Sequence, residues 1–227
     1  MLVFESGALE QDFILQVHQF EKEFSEPAAT FLNSEELAYY ETLTSDKRKI
    51  EYLQSRFALK NLLSAQMRLA PNVIQFKKVG EGKPVLMNPT VHLDFNLSHS
   101  HDYFAIALSS KGEVGVDIEQ IRPPHRLTQI AERFFSPAET DLIQQESDPA
   151  KQSEIFAKFW SGKEALVKTV AGGVFKNVHQ VLIDEITWKI KKLPLEFGNL
   201  SDWNLKFFDA VAGYTCSVAF KSLKVPF

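Results

Sequence analysis

Two helix-length stretches dominate this sequence, and each is followed by a train of short strand-like runs. The first begins near Thr44-Ser45-Asp46, where capping residues open a helix-forming run, and extends to Leu69. It stops before Ala70-Pro71, because the residue preceding a proline avoids the helical region. The second covers Lys151 to Val170. Behind the first come the runs Val73 to Phe76, Leu93 to Leu97, Tyr103 to Ser109 and Val114 to Ile118. Behind the second come Val181 to Ile183, Thr187 to Ile190, Leu205 to Phe208 and Tyr214 to Phe220. Shorter helices are expected from Asn33 or Ser34, with Glu35 and Glu36 in the first turn, and over Arg126 to Phe134 and Ser136 to Gln145. The expected fold is therefore α+β: two similar α/β lobes, each a long helix packed on a small, mostly antiparallel sheet. The likeness lies in element order, a pseudo-duplication. The turn Ser109-Ser110-Lys111-Gly112 falls near the midpoint, so residues 1–112 and 113–227 are the expected lobes, with a cleft between them.

A chain of 227 residues with 44% hydrophobic side chains can fill such a core and leaves little for long disorder. Its one cysteine, Cys216, rules out an intrachain disulfide, and with no secretory signature the expected location is a reducing cytoplasm. Glu5, Glu10 and Asp12 interrupt the apolar N-terminal stretch, so neither a signal peptide nor a membrane span is expected there. A net charge of −4 argues against general nucleic-acid binding. That average hides a polarity. Residues 1–45 carry one base and nine acids, whereas residues 46–83 carry nine bases and three acids. At about 100° per residue, Lys49, Arg56 and Lys60 share one face of the first long helix. That face is either a seat for a compact anion or an ordinary solvated surface.

Carboxylates supply the chemistry. Gly115-Val116-Asp117-Ile118-Glu119 places two acids on one face of a strand, with Val116 and Ile118 turned into the core and the acids looking out. Carboxylates held side by side repel unless a cation or a proton sits between them. In the second long helix, Glu164 and Lys168 stand one turn apart, which on a surface would be an ordinary salt bridge. Phe156, Phe159, Trp160 and Leu166 make this helix largely buried, so such a pair is less plausibly idle. A third carboxylate facing the first two would complete an oxygen site suited to Mg2+.

Gly115 to Glu119, followed by Phe159-Trp160-Ser161-Gly162-Lys163-Glu164-Ala165-Leu166-Val167-Lys168, resembles the paired signature of the Sfp-type 4'-phosphopantetheinyl transferases. Gly82-Lys83-Pro84, Phe95-Asn96-Leu97-Ser98-His99-Ser100 and Arg133-Phe134-Phe135-Ser136-Pro137-Ala138-Glu139 stand in the same family order. The resemblance covers roughly residues 45–185. It implies an enzyme that moves the phosphopantetheine arm of coenzyme A to a serine hydroxyl of an apo acyl or peptidyl carrier protein, releasing 3',5'-ADP.

The resemblance further implies that Asp117, Glu119 and Glu164 hold Mg2+, and that Lys168 contacts the transferred phosphate, with Lys163 adding positive charge. Ser98 and His99 would lie near the 3'-phosphate, and Lys83 and Pro84 along the adenine and phosphate side. Arg56 or Lys60 would bind the 3'-phosphate. Glu164 is the candidate base, directly or through a metal-bound water. One departure stands out. Where the family shows a Gly-Lys-Gly sequence after this lysine, the chain has Ala171-Gly172-Gly173, so a phosphate contact is missing or is replaced, with Lys176 the candidate. Expected partners are coenzyme A and a carrier protein, and the expected state is a monomer. The alternative is a non-catalytic coenzyme A-binding or assembly subunit that keeps the fold, with a generic Mg2+-dependent phosphohydrolase further off.

Other residues carry less. The spacing of His92, His99 and His101 fits no common zinc pattern. Cys216 sits in an apolar strand-like run and reads as a buried small residue. Apolar side chains near Ile121 to Leu127 or at Phe134-Phe135 are candidates for contact with the carrier.

Overall fold

The computed structural model describes all residues except 7–11, 79–82, 88, 90, 123–126, 171–174 and 224–227. In chain order the elements are β1 (Leu2–Ser6), β2 (Ile14–Gln19), α1 (Ser34–Thr42), α2 (Asp46–Met67), β3 (Phe76–Lys78), β4 (Pro84–Leu86), β5 (Asp94–Ser100), β6 (Tyr103–Ser109) and β7 (Gly112–Gln120). There follow α3 (Leu127–Phe134), α4 (Pro137–Gln145), α5 (Pro149–Thr169), β8 (Leu182–Ile183), β9 (Ile190–Lys192), β10 (Trp203–Phe208) and β11 (Tyr214–Ser222). One sheet runs β1-β2-β6-β5 and the other β10-β11-β7, with β3-β4 and β8-β9 as small hairpins. All recorded pairings are antiparallel. The α+β class holds.

Alternation along the strands builds the layers. On β6, Phe104, Ile106 and Leu108 pack toward α2 through Leu59, Leu62 and Leu63. Ala105 and Ala107 face the other way and meet Val116, Ile118, Cys216 and Val218 of the second sheet. Beyond that sheet lies α5, whose Phe159, Ala165 and Leu166 pack with Leu205 and Ala219. The order is thus helix, sheet, sheet, helix. β7 is consequently covered on both sides: Val116 and Ile118 face the inter-sheet core, and the opposite face lies under α5.

Sequence reading placed no strand before Asn33, yet β1 and β2 complete the first sheet. Leu15 and Val17 are fully buried and alternate with Gln16 and His18, a strand pattern present in the sequence. The run expected at Val73 to Phe76 is instead a helical turn at Pro71–Val73 followed by β3. The run expected at Thr187 to Ile190 begins only at Ile190, because Asp184 Oδ1 accepts from the backbone of Ile186 and Thr187 and from the Thr187 hydroxyl, closing a turn there. No helix among the described residues is long and apolar enough to cross a membrane.

Candidate active site

β5 lies at the edge of the first sheet and β7 at the edge of the second, and side chains join them. Asp94 Oδ2 accepts from Val114 N at 2.7 Å, Asn96 Oδ1 from Val116 N at 3.0 Å, and Ser100 Oγ from Gln120 N at 3.2 Å. Each link spans 20 residues, so the two strands run the same way in fixed register. Asp94, Asn96 and Ser100 therefore do for β7 what a neighbouring backbone would do. Leu97 and His99, at the intervening positions, turn to the opposite side.

This junction orients the acids. Ser98 Oγ donates to Asp117 Oδ1 at 2.8 Å and Ser100 Oγ donates to Glu119 Oε2 at 3.0 Å. Lys168 Nζ, from the last turn of α5, reaches Asp117 Oδ1 at 2.6 Å and Ser98 Oγ at 3.1 Å, and lies 3.9 Å from Glu164 Oε2. α5 comes this close because residue 115 is glycine: a Cβ there would lie 2.1 Å from the Ala165 carbonyl oxygen and 2.5 Å from Thr169 N. Asp117 and Glu119 do share a face, as the alternation predicts. Asp117 does not look out to solvent: it is only 2% exposed, since α5 covers that side of the strand, whereas Glu119 is half-buried.

Burial pushes the Asp117 carboxyl up, against the pull of Lys168, Ser98 and Ser161. Glu119 is raised by burial and then by the charge of Asp117, with Ser100, Lys168 and Arg122 opposing. Glu164 is raised to about 7, chiefly by burial, with Asp117 and Glu119 adding and Lys168 opposing. For Lys168 burial works downward, but Asp117, Glu164 and Glu119 outweigh it and hold the ammonium above its ordinary value.

The donor set fits a small divalent cation in kind. It is made of oxygens alone, its carboxylates repel one another, and Asp117 Oδ2 is buried with no hydrogen-bond partner. The oxygens are not gathered about one point. Among the described residues no group of three His, Cys, Asp or Glu side chains stands close enough to hold a metal, and the Lys168 ammonium sits against Asp117 instead.

On the other side of β5 opens a groove of about 930 Å³, lined by Arg56, Pro84 and His99 among others. Arg56, one quarter exposed, lies over the rings of Tyr52 and Phe76 with Nε 3.6 Å from Glu36 Oε1. His99 and Pro84 thus line the same groove as Arg56.

Four other expected ligands stand elsewhere. Lys60 is fully buried and ion-paired with Glu36, on the core side of α2. Lys163 is 1% exposed, 2.8 Å from Glu139, and donates to the Val181 carbonyl at 2.6 Å. Glu139 also caps α4 by accepting from Ser136 N, so the start of that helix and Lys163 meet at one buried carboxylate. Ser98 faces the carboxylates and not the groove, because it falls on the even-numbered side of β5. The Lys83 ammonium is turned inward onto Asp94 and the carbonyls of Val114 and Thr169. Sequence reasoning missed Ser100, Asn96 and Asp94; their alternation opposite an acid-bearing strand was the available signal.

The remaining assignments sort quickly. Cys216 is buried and its thiol pushed up by burial, which leaves it no nucleophilic role. His92 lies against the Gly112 carbonyl and His101 against Arg122, so they do not form a metal cluster with His99. Phe135 is core and Phe134 packs edge-on against Trp160. Gly82, residues 123–126, Ala171, Gly172 and Gly173 lie outside the described residues, as does the side chain of Lys176.

Residues 113–219 match the family model of the 4'-phosphopantetheinyl transferase superfamily. Residues 19–111 match that of the 4'-phosphopantetheinyl transferase N-terminal region. A Synechocystis sp. protein named for this transferase activity is 34% identical over 175 residues, 77% of this chain and 70% of its own. The 4'-phosphopantetheinyl transferase HetI of Nostoc sp. is 32% identical over 164 residues, 71% of this chain and 68% of its own. The chain belongs to the 4'-phosphopantetheinyl transferase superfamily. The transferase AcpT of Escherichia coli is 40% identical over 120 residues, 52% of this chain and 57% of its own. The carboxylates and Lys168 fall inside the superfamily match, whereas Arg56, Pro84 and His99 fall inside the N-terminal one.

Proposed function

We propose that this transferase carries the 4'-phosphopantetheine arm of coenzyme A to a serine hydroxyl of an apo carrier protein and releases 3',5'-ADP. One observation carries the reading. A single strand, β5, turns Ser98 and Ser100 to the carboxylates and His99 to the groove, so a pyrophosphate crossing that strand would have its nucleotide on one side and its reacting phosphorus on the other.

In this reading residues 1–112 serve the nucleotide and residues 113–227 the chemistry. The lobes are similar in plan: each has a capped short helix whose glutamate, Glu36 or Glu139, grips a buried lysine 24 residues on, Lys60 or Lys163. Asp117, Glu119 and Glu164 would hold Mg2+, which would supply positive charge against the pyrophosphate. Lys168 bears its charge on the transferred phosphate. Glu164 is the group that takes the serine proton in this reading. The serine oxygen then bonds to the β-phosphorus as the bond from that phosphorus to the bridging oxygen of 3',5'-ADP breaks. The reaction asks chiefly for alignment and neutralised charge.

Arg56 is the 3'-phosphate contact in this reading, since it lines the groove and Lys60 does not. Arg56→Ala should erase most of the preference for coenzyme A over dephospho-coenzyme A, worth about 1.5–3 kcal/mol. Calorimetry with both ligands at two salt concentrations measures that coupling, and a value of zero rejects Arg56. The function itself is tested by incubating the protein with Mg2+, coenzyme A and several apo carriers and weighing the carriers. A gain of one phosphopantetheine supports the transferase. Tight coenzyme A binding with no gain on any carrier supports a non-catalytic binding subunit.

A further inference from the structure

Lys83 has an inward-facing ammonium with three hydrogen-bond acceptors, as many as it has protons. These are Asp94, the Val114 carbonyl at 2.9 Å and the Thr169 carbonyl at 3.3 Å. Its side chain is 6% exposed. The three acceptors come from three different elements, and each element carries part of the site. Asp94 opens β5, which bears Ser98, His99 and Ser100. Val114 lies on β7, three residues before Asp117. Thr169 closes α5, one residue after Lys168. Asp94 in turn accepts from Val114 N, so one carboxylate and one ammonium tie the backbone of β7 through both its N–H and its C=O.

No backbone ladder joins β5 to β7, and the end of a helix has carbonyls without intrahelical partners. Both weak points of the assembly meet at Lys83. We infer that Lys83 is a positioning residue of the transferase. Its ammonium sets the register of β5 against β7 and seats the last turn of α5, so that Lys168 and Glu164 stand over Asp117. It does not contact the nucleotide. The inference rests on the transferase reading for its kinetic consequence and on geometry alone for its structural one.

The test is Lys83→Met, which keeps the length of the stem and removes the donors, with Asp94→Asn as a second variant should the first fail to fold. Either should leave the dissociation constant for coenzyme A, measured by calorimetry, within about threefold, while kcat for carrier modification falls about 10- to 100-fold, the usual cost of small misplacement. Hydrogen exchange should quicken in residues 114–120 and 165–169 and stay unchanged in β1 and β2. A tenfold loss of coenzyme A affinity at unchanged kcat would make Lys83 a nucleotide ligand and overturn the proposal. Unchanged kcat with unchanged exchange would overturn it as well. If the wild-type protein modifies no carrier, the transferase reading fails by itself, and the exchange pattern then decides the role of Lys83.

Discussion

Glu164 shows at the level of one side chain how the site stores its charge. Its carboxyl is raised from 4.5 to about 7, by burial first and then by Asp117 and Glu119. Between those values the folded protein binds more protons than the unfolded chain, so stability falls as pH rises through this window and the penalty is complete above it. Glu164→Gln removes that penalty. In metal-free buffer the variant should be more stable than the wild type at pH 8, by on the order of 1–2 kcal/mol, and nearly equal to it at pH 5. Thermal unfolding at the two pH values measures this, and a variant less stable at pH 8 would show that Glu164 is held by partners and not strained by neighbours. The lysines give the complementary lesson. The family resemblance implies a ligand contact for Lys83, Lys163 and Lys168, and for Lys60 as the alternative to Arg56. Of these, Lys60 and Lys163 are spent on Glu36 and Glu139, and Lys83 on Asp94. Whether a lysine serves an anion or an internal carboxylate depends on partners distant in sequence, which no local pattern encodes.

At the scale of elements, the contact between β7 and α5 decides the geometry, and Gly115 permits it. Gly115→Ala would drive a methyl into rigid backbone, 2.1 Å from the Ala165 carbonyl oxygen, and must push the end of α5 away. The expected result is a loss of about 1–3 kcal/mol of stability together with most of the activity. Gly162→Ala meets Ile183 Cδ1 and Phe207 Cζ at 2.9 Å, the ends of side chains that can yield, so its effect should be smaller. Chemical denaturation and carrier-modification rates for the pair test the contrast; equal effects would contradict it. The elements themselves were largely legible. Asn33, Ser45 and Ser136 all cap helices close to where their side-chain chemistry places them, and Tyr103–Ser109 is a strand over the expected residues. β1 and β2 were missed although Leu15 and Val17 alternate with polar neighbours, because acids crowd the same stretch. The shared face of Asp117 and Glu119 was legible from period-two alternation. That α5 covers this face was not, since the partner of a strand face is set by chain topology.

For the molecule as a whole, two sheets packed face to face bring two half-sites together along one edge. The junction of β5 and β7 joins the groove from the first half, proposed here for the nucleotide, to the carboxylates of the second. The charge polarity in the sequence is absorbed in part inside the first half, where acidic α1 supplies Glu36 to Lys60 and Arg56 of basic α2. What faces the groove includes Arg48, Arg56, Lys77 and His99, and Lys168 stands at the carboxylates. The central proposal is that Asp117, Glu119 and Glu164 act together as one divalent-cation site in arm transfer. The most direct measurement compares single-turnover modification of an apo carrier, read by carrier mass, for the wild type with Mg2+, the wild type in excess EDTA, and Asp117→Asn with Mg2+. The account predicts transfer in the first case alone, with the variant still folded and cooperative in thermal unfolding. Full transfer in EDTA, or by Asp117→Asn, would contradict it.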